Sequence, residues 1–179
     1  MVRCVARFGL EGATLERIAA EAELSRPLIR HHLGNRKDML HKLTSYVLSA
    51  FTERTDEMLA SLPETGRPEA LLNALFAEDR SVSSDMVMAF AALTARATED
   101  QGLRDDCRRW ILEFEKKIAA VLASGSENTG HPKFAEAATG VTAIYFNAAS
   151  LAPLEMPRTW LLASRHAAQG LLEIIGENA

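Results

Sequence analysis

Apolar residues recur along this chain at steps of three and four, and no stretch alternates with period two for long. That pattern predicts helices and no sheet. The longest stripe runs from about Asn35 to Leu62 and carries Met39, Leu40, Leu43, Val47, Leu48, Phe51, Met58, Leu59 and Leu62. A helix over that span would reach roughly 40 Å, enough to tie a head module to a body. A second stripe holds Leu103, Cys107, Trp110, Ile111, Phe114, Ile118, Val121 and Leu122. Phe134, Ala138, Val141, Tyr145, Ala148 and Ala152 form a third. A fourth holds Leu161, Leu162, Arg165, Ala168, Leu171, Leu172 and Ile175, with Gly176 where a helix commonly ends. Met86 to Ala97 is apolar almost all round, which predicts a helix at the centre of a bundle. Turn-forming residues punctuate the chain between these segments, at 63–68, 81–84, 98–102, 124–132 and 153–157. The expected fold is all-α.

The first fifty residues carry two short helices with distinct signals. Thr14 is placed to cap a helix whose Leu15, Ile18 and Ala19 face inward. Ala22-Glu23-Leu24 makes the turn, with Leu24 expected as an apolar plug between the helices. Ser25 caps the next helix, and Pro27 is tolerated in a first turn whose N–H groups are free. Ile29 and Leu33, four apart, anchor this helix to the core. Arg26, Pro27, Leu28, Arg30, His31 and His32 are then mostly left on its outer face. Such a surface suits a DNA major groove: Arg can bind guanine in bidentate fashion, and compact apolar groups can touch a thymine methyl. The Thr14 and Ser25 hydroxyls, with nearby helix N-termini, suit phosphate oxygens. Asn35 caps the long helix, with Asp38 completing a capping-box-like arrangement. Arg36 and Lys37 oppose the helix dipole in its first turn, a placement that a nearby phosphate would explain.

Charge sharpens this reading once it is divided. The 179 residues carry a formal net charge of −4, with 20 Lys and Arg against 24 Asp and Glu. Residues 1–51 hold eight of those cations and five of the acids, so the excess is positive in the head and negative behind it. Cys4 and Cys107 are far apart and in no metal-ligand spacing, which points to small buried hydrophobes in a reducing cytoplasm. The sequence as it stands opens on no signal-like leader and holds no run of about 18 apolar residues, so no membrane span is expected. His31, His32 and His41 lack metal-ligand spacing, and no metal or cofactor is expected. Nucleophile elbows, phosphate-cradling glycine loops and buried carboxylate pairs are absent from the pattern. Asp105-Asp106 and Glu113/Glu115 read as solvated faces, and an enzyme is not expected.

The run from Ile18-Ala19-Ala20 through Ala22, Leu24-Ser25, Ile29 and His32-Leu33 to Asn35-Arg36 resembles the signature of the TetR/AcrR regulators. Phe8-Gly9 and Gly12-Ala13-Thr14 resemble the end of that family's first helix and its entry into the second. The likeness covers about residues 4–43, and it departs from the family in three places. Arg30 stands where an aromatic is usual, Leu33 replaces a phenylalanine, and the family's first helix extends further ahead of the position of Arg3. The resemblance implies a helix-turn-helix DNA-binding domain over 1–45 and a helical ligand-binding and dimerisation domain over 46–179. It implies a ligand-responsive regulator of repressor type, binding a near-palindromic duplex operator as a homodimer, with a small-molecule effector. The DNA-contacting set would be Thr14, Ser25, Arg26, Pro27, Leu28, Arg30, His31, His32, Arg36 and Lys37. The effector pocket would draw on Met86, Phe90, Trp110, Phe114 and Phe146, with Thr94 and Asn147 as polar partners, although for each of these apolar residues taken singly plain core is the better reading. Residues 133–152 and 157–175 resemble the family's dimerisation helices. The competing reading is a helical small-molecule-binding protein that has lost DNA recognition.

Overall fold

The structure, a computed structural model, describes residues 1–77 and 83–177, the side chains of 175–177 excepted. Among the described residues there are nine α-helices and no strand. They run α1 (Val2–Gly12), α2 (Leu15–Ala22), α3 (Arg26–Leu33), α4 (Arg36–Ala60), α5 (Arg67–Leu75), α6 (Ser84–Arg96), α7 (Gln101–Leu122), α8 (Pro132–Ser150) and α9 (Arg158–Glu177). A single 3-10 turn, Ala152–Leu154, separates the last two. Ser81 and Val82, expected in a turn, lie outside the described residues, as does the side chain of Ile175. The chain runs helically past Gly176, where a C-terminus was expected.

Capping fixes the starts of α2, α3 and α4 at the residues the sequence predicts. Thr14 Oγ1 accepts the Arg17 N–H at 3.3 Å, and Ser25 Oγ accepts that of Leu28 at 3.4 Å. Asn35 Oδ1 accepts from Lys37 at 2.8 Å and from Asp38 at 3.1 Å. Asp38 returns the bond, its Oδ2 taking the Asn35 N–H at 3.0 Å, so two orphan ends are satisfied reciprocally. Ser83 caps α6, and Asp100 Oδ1 caps α7 by accepting the Leu103 N–H at 3.0 Å. The backbone leaves helical geometry at Gly9, with φ 68°, as the Phe8-Gly9 pair implies.

The contacts divide into two units, each with its own core. The first comprises Met1–Glu53 and Val82–Arg109. Its core joins Cys4 and Val5 of α1, Ile18 and Ala19 of α2, Ile29 of α3, Met39, Leu43 and Val47 of α4, and Ala89 and Leu93 of α6. The second comprises Arg54–Ser81 and Trp110–Ala179, built on Leu71, Leu72, Leu75, Phe114, Ile118, Phe134, Val141 and Ala168. Two of the three unit boundaries fall within α4 and α7 in sequence.

Two expectations are corrected here. Leu24 is 46% exposed and plugs nothing. Glu23 adopts φ 54°, and the Leu24 N–H closes the turn on the Ala19 carbonyl at 3.0 Å, so the backbone makes the corner. The buried contact between α2 and α3 is left to Ile18, Ala19 and Ile29. The α6 segment is also less central than its composition predicts. Ala89 and Leu93 are fully buried, whereas Met88, Ala91 and Ala95 are exposed. Alanines made the helix read as apolar all round, and a small exposed Ala costs little.

Within the second unit, α8 packs closely on α9. A Cβ added at Gly140 would lie 2.7 Å from Leu171 Cδ1, so a side chain there would require the tip of Leu171 to move. No helix among the described residues is long and apolar enough to cross a membrane.

Candidate nucleic-acid interface

The α3 helix is held by few points. Ile29 is 5% exposed and sinks into the first unit's core, while Leu33 is half-buried against it. Arg26, Pro27, Leu28, Arg30, His31 and His32 are all exposed on the remaining surface. Both ends of the helix are tied from outside. Ser25 caps the start, and Lys42 Nζ of α4 donates to the His32 carbonyl at the far end. A cation on the last carbonyls also offsets the helix dipole. Gly34 then turns the chain with φ 78°, and a Cβ there would fall 2.4 Å from Asp38 Oδ2. Only glycine meets both demands.

The eight cations of residues 1–51 are not equally available. Arg3 Nε and Arg7 Nη1 pair with the Glu21 carboxylate at 2.7 and 3.9 Å. Arg17 donates to the Gly12 carbonyl at 2.9 Å and lies over the Phe8 ring, 4.5 Å from its centroid. Arg36 binds the Leu10 carbonyl and pairs with Glu11 at 3.1 Å. That commitment to the end of α1 gives Arg36 a structural reason for sitting in a helix's first turn, independent of any phosphate. Arg26 pairs with Glu16 at 3.0 Å, both side chains being well exposed. Glu16 is held below the usual carboxylate range, first by its own backbone N–H, which outweighs an opposing desolvation cost, and then by Arg26 and the Thr14 hydroxyl. Among the described residues Arg30 and Lys37 make no ion pair or side-chain hydrogen bond. The sequence could rank none of this, because pairing depends on where α1 and α2 place their acids.

His31 and His32 lie edge to face, with ring centroids 5.4 Å apart. Among the described residues no group of three or more His, Cys, Asp or Glu is arranged to hold a metal. Cys4 and Cys107 are both buried free thiols. Burial, then the neighbouring Asp106 charge, pushes the Cys107 thiol up.

The expected effector-pocket residues divide between the units. Met86, Phe90 and Thr94 belong to the first, where Phe90 meets Phe51 at 5.7 Å and the Thr94 hydroxyl donates to the Ala91 carbonyl. Trp110, Phe114 and Phe146 belong to the second, and there the structure brings them together. Trp110 stacks on Phe146 at 5.9 Å and 12°, and Phe114 on Phe146 at 5.4 Å and 27°. Tyr145 extends the stack and links it to Phe76 at 6.2 Å. Asn147, expected beside them as a polar partner, is exposed instead. It shares a face with Ala143, four residues before it, and Ser150, three after, and both are exposed, so it lies on the solvated side of α8. Sequence reasoning missed Thr142, whose hydroxyl is buried without a hydrogen-bond partner. Only its position beside Val141 in a buried stripe could have signalled this.

No protein-family model matches the chain, and no curated protein matches it by sequence. Solved structures do resemble it. A TetR transcription regulator from Haloarcula marismortui superposes with a TM-score of 0.73 at 20% identity, over 96% of this chain and 92% of that one. A transcriptional regulator from Rhodococcus sp. Rha1 gives 0.70 at 23% identity, over 99% and 92%. At these identities the likeness is one of fold alone, and it covers nearly the whole of this all-α chain.

Proposed function

We propose that this chain is a DNA-binding transcriptional regulator of the TetR/AcrR type, working as a homodimer of repressor kind. The observation that carries this reading is the outer face of α3. Six adjacent exposed residues, two of them arginines and two histidines, stand on a helix anchored by Ile29 and capped at both ends by residues outside the face. Caps and an apolar anchor are common to many helices; what suits a major groove is the display of these six side chains together on one anchored helix. Arg30 would read a base edge or grip a phosphate. Arg26 can join it by leaving Glu16, since a solvent-exposed pair is easily exchanged. Lys37, with the Thr14 and Ser25 hydroxyls, would hold the backbone, and Arg36 would contribute by fixing α1 against α4.

Two copies related by a two-fold axis, joined through α8 and α9, would present two α3 helices to successive major grooves about 34–36 Å apart. The effector site is assigned to the aromatic stack of Trp110, Phe114 and Phe146, where flat apolar ligands find ring faces. An effector that favours a head spacing unable to span the operator would release it, by no more than its preference between the two states.

Selection of the full chain against random duplex DNA tests the reading. A near-palindromic sequence should be enriched, and Arg26→Ala with Arg30→Ala should abolish the enrichment while the melting temperature holds. Recovery of no consensus would overturn it in favour of a helical small-molecule-binding protein.

A further inference from the structure

His31 and His32 stand in the last turn of α3, both exposed on its displayed face, with their rings edge to face at 5.4 Å and 71°. Histidine is the side chain whose charge changes between about pH 5 and 8. A protonated imidazole offers two N–H donors where the neutral ring offers one, so each ring can meet a phosphate either as a neutral donor or as a cation. Among the described residues neither imidazole pairs with a carboxylate. On α2, Glu16 is held by Arg26 and Glu21 by Arg3 and Arg7, while Arg17 lies over the Phe8 ring. Glu23 sits at the corner before α3, at the opposite end of the helix from the two rings. On α4, Asp38 accepts the Asn35 N–H, Arg36 is paired with Glu11, and Lys42 donates to the His32 carbonyl. Lys37 and His41 are exposed on the same helix. Arg30 precedes the pair on α3 itself.

The end of α3 that carries the two rings is thus bordered by cations, Arg30 and Lys42, with the nearby acids already engaged. Two imidazolium rings that close repel each other, whereas a phosphate oxygen against both offsets that repulsion. Duplex DNA presents one such anion about every 1.7 Å along its axis. We propose that His31 and His32 take up protons when α3 meets duplex DNA, so that phosphate binding tightens as pH falls through the histidine range. This inference deepens the DNA-binding reading of α3 and rests on it. Its sign follows from linkage: a bound state that carries more protons than the free state is favoured as pH falls. Glu16 does not contribute in this window, because its carboxyl is held below the usual carboxylate range and its tie to Arg26 stays intact.

The probe is a fluorescently labelled random-sequence duplex, whose binding is driven by phosphate contacts. Its anisotropy is titrated with the full chain over a range of salt, at about pH 8 and at about pH 6. With two copies of the chain on one duplex, the logarithmic salt slope should steepen by about 2 to 4 at the lower pH, close to one for each imidazole charged. Affinity at fixed low salt should rise several-fold. His31→Gln with His32→Gln should remove most of the steepening, and each single variant about half of it, every chain being compared with itself at the two pH values. These variants separate the two rings from His41, His131 and His166, and His41→Gln should keep the full steepening. Circular dichroism at both pH values checks that each chain is folded. The proposal fails if the native slope is the same at both pH values, or if the double variant keeps the full steepening. Absence of binding at both would overturn the DNA-binding reading itself, and this inference with it.

Discussion

Single side chains decide which cations in the head are available. Glu16 holds Arg26 and adds a negative charge beside the face proposed to meet phosphate, so Glu16→Gln should tighten operator binding a few-fold in an anisotropy titration. Because Glu16 titrates below its ordinary value, its pairing with Arg26 is present at neutral pH and is lost as pH falls through that lowered value. Native binding should therefore approach that of Glu16→Gln only below the ordinary carboxylate range. Arg30→Ala should cost about 1–3 kcal/mol and relax preference at one base position if Arg30 reads a base edge. A uniform loss across sequences, with a shallower salt dependence, would place it on phosphate instead. Thr142→Val removes a buried unsatisfied hydroxyl with almost no change of shape. It should stabilise the protein by up to about 1 kcal/mol, seen as a melting temperature raised by about 2–4 °C for a chain of this size. The residue scale is where the sequence was least legible. Arg26 and Arg30 look alike on the page, and only the fold shows that one is paired.

At the scale of elements the sequence was read most easily, because a helix start is a local event. Thr14, Ser25 and Asn35 could be assigned from their neighbours, and each caps the helix expected of it. Leu24 failed for the complementary reason: whether a turn is closed by a side chain or by the backbone depends on the φ of Glu23, which no hydrophobic pattern encodes. The α6 segment misled because alanine counts as apolar in a stripe yet tolerates water. Ser25→Ala should cost about 1 kcal/mol, and hydrogen exchange should show it as faster amides in the first turn of α3 with α8 unchanged. Gly140→Val should press on the Leu171 side chain and turn it, or shift α9 where it cannot turn, costing up to about 1–3 kcal/mol of overpacking and lowering both the melting point and the proposed dimer's affinity. An unaltered melting curve would mean that the two helices adjust more freely than their spacing allows.

For the whole molecule, the division of charge supplies a quantitative expectation. If Arg26, Arg30 and Lys37 of each protomer meet phosphate, a dimer makes about six such contacts, and the logarithm of the binding constant should fall with that of salt at a slope near −5. A slope near −2 would mean that most of the face stays off the backbone. Sedimentation at micromolar concentration should show a dimer, and a monomer there would remove the basis for palindrome recognition. The architecture was legible as all-α from periodicity, but the partition of contacts was not, since Val82–Arg109 joins Met1–Glu53 across an intervening stretch of sequence. The way α3 is mounted has a last consequence. Its supports, Ser25, Ile29, Gly34 and Lys42, are different residues from those it displays, apart from the breakable tie of Arg26 to Glu16. Residues 26–28 and 30–32 can therefore drift or be exchanged as a set without disturbing the frame, which makes this helix a replaceable key in a fixed lock barrel and a practical starting point for retargeting.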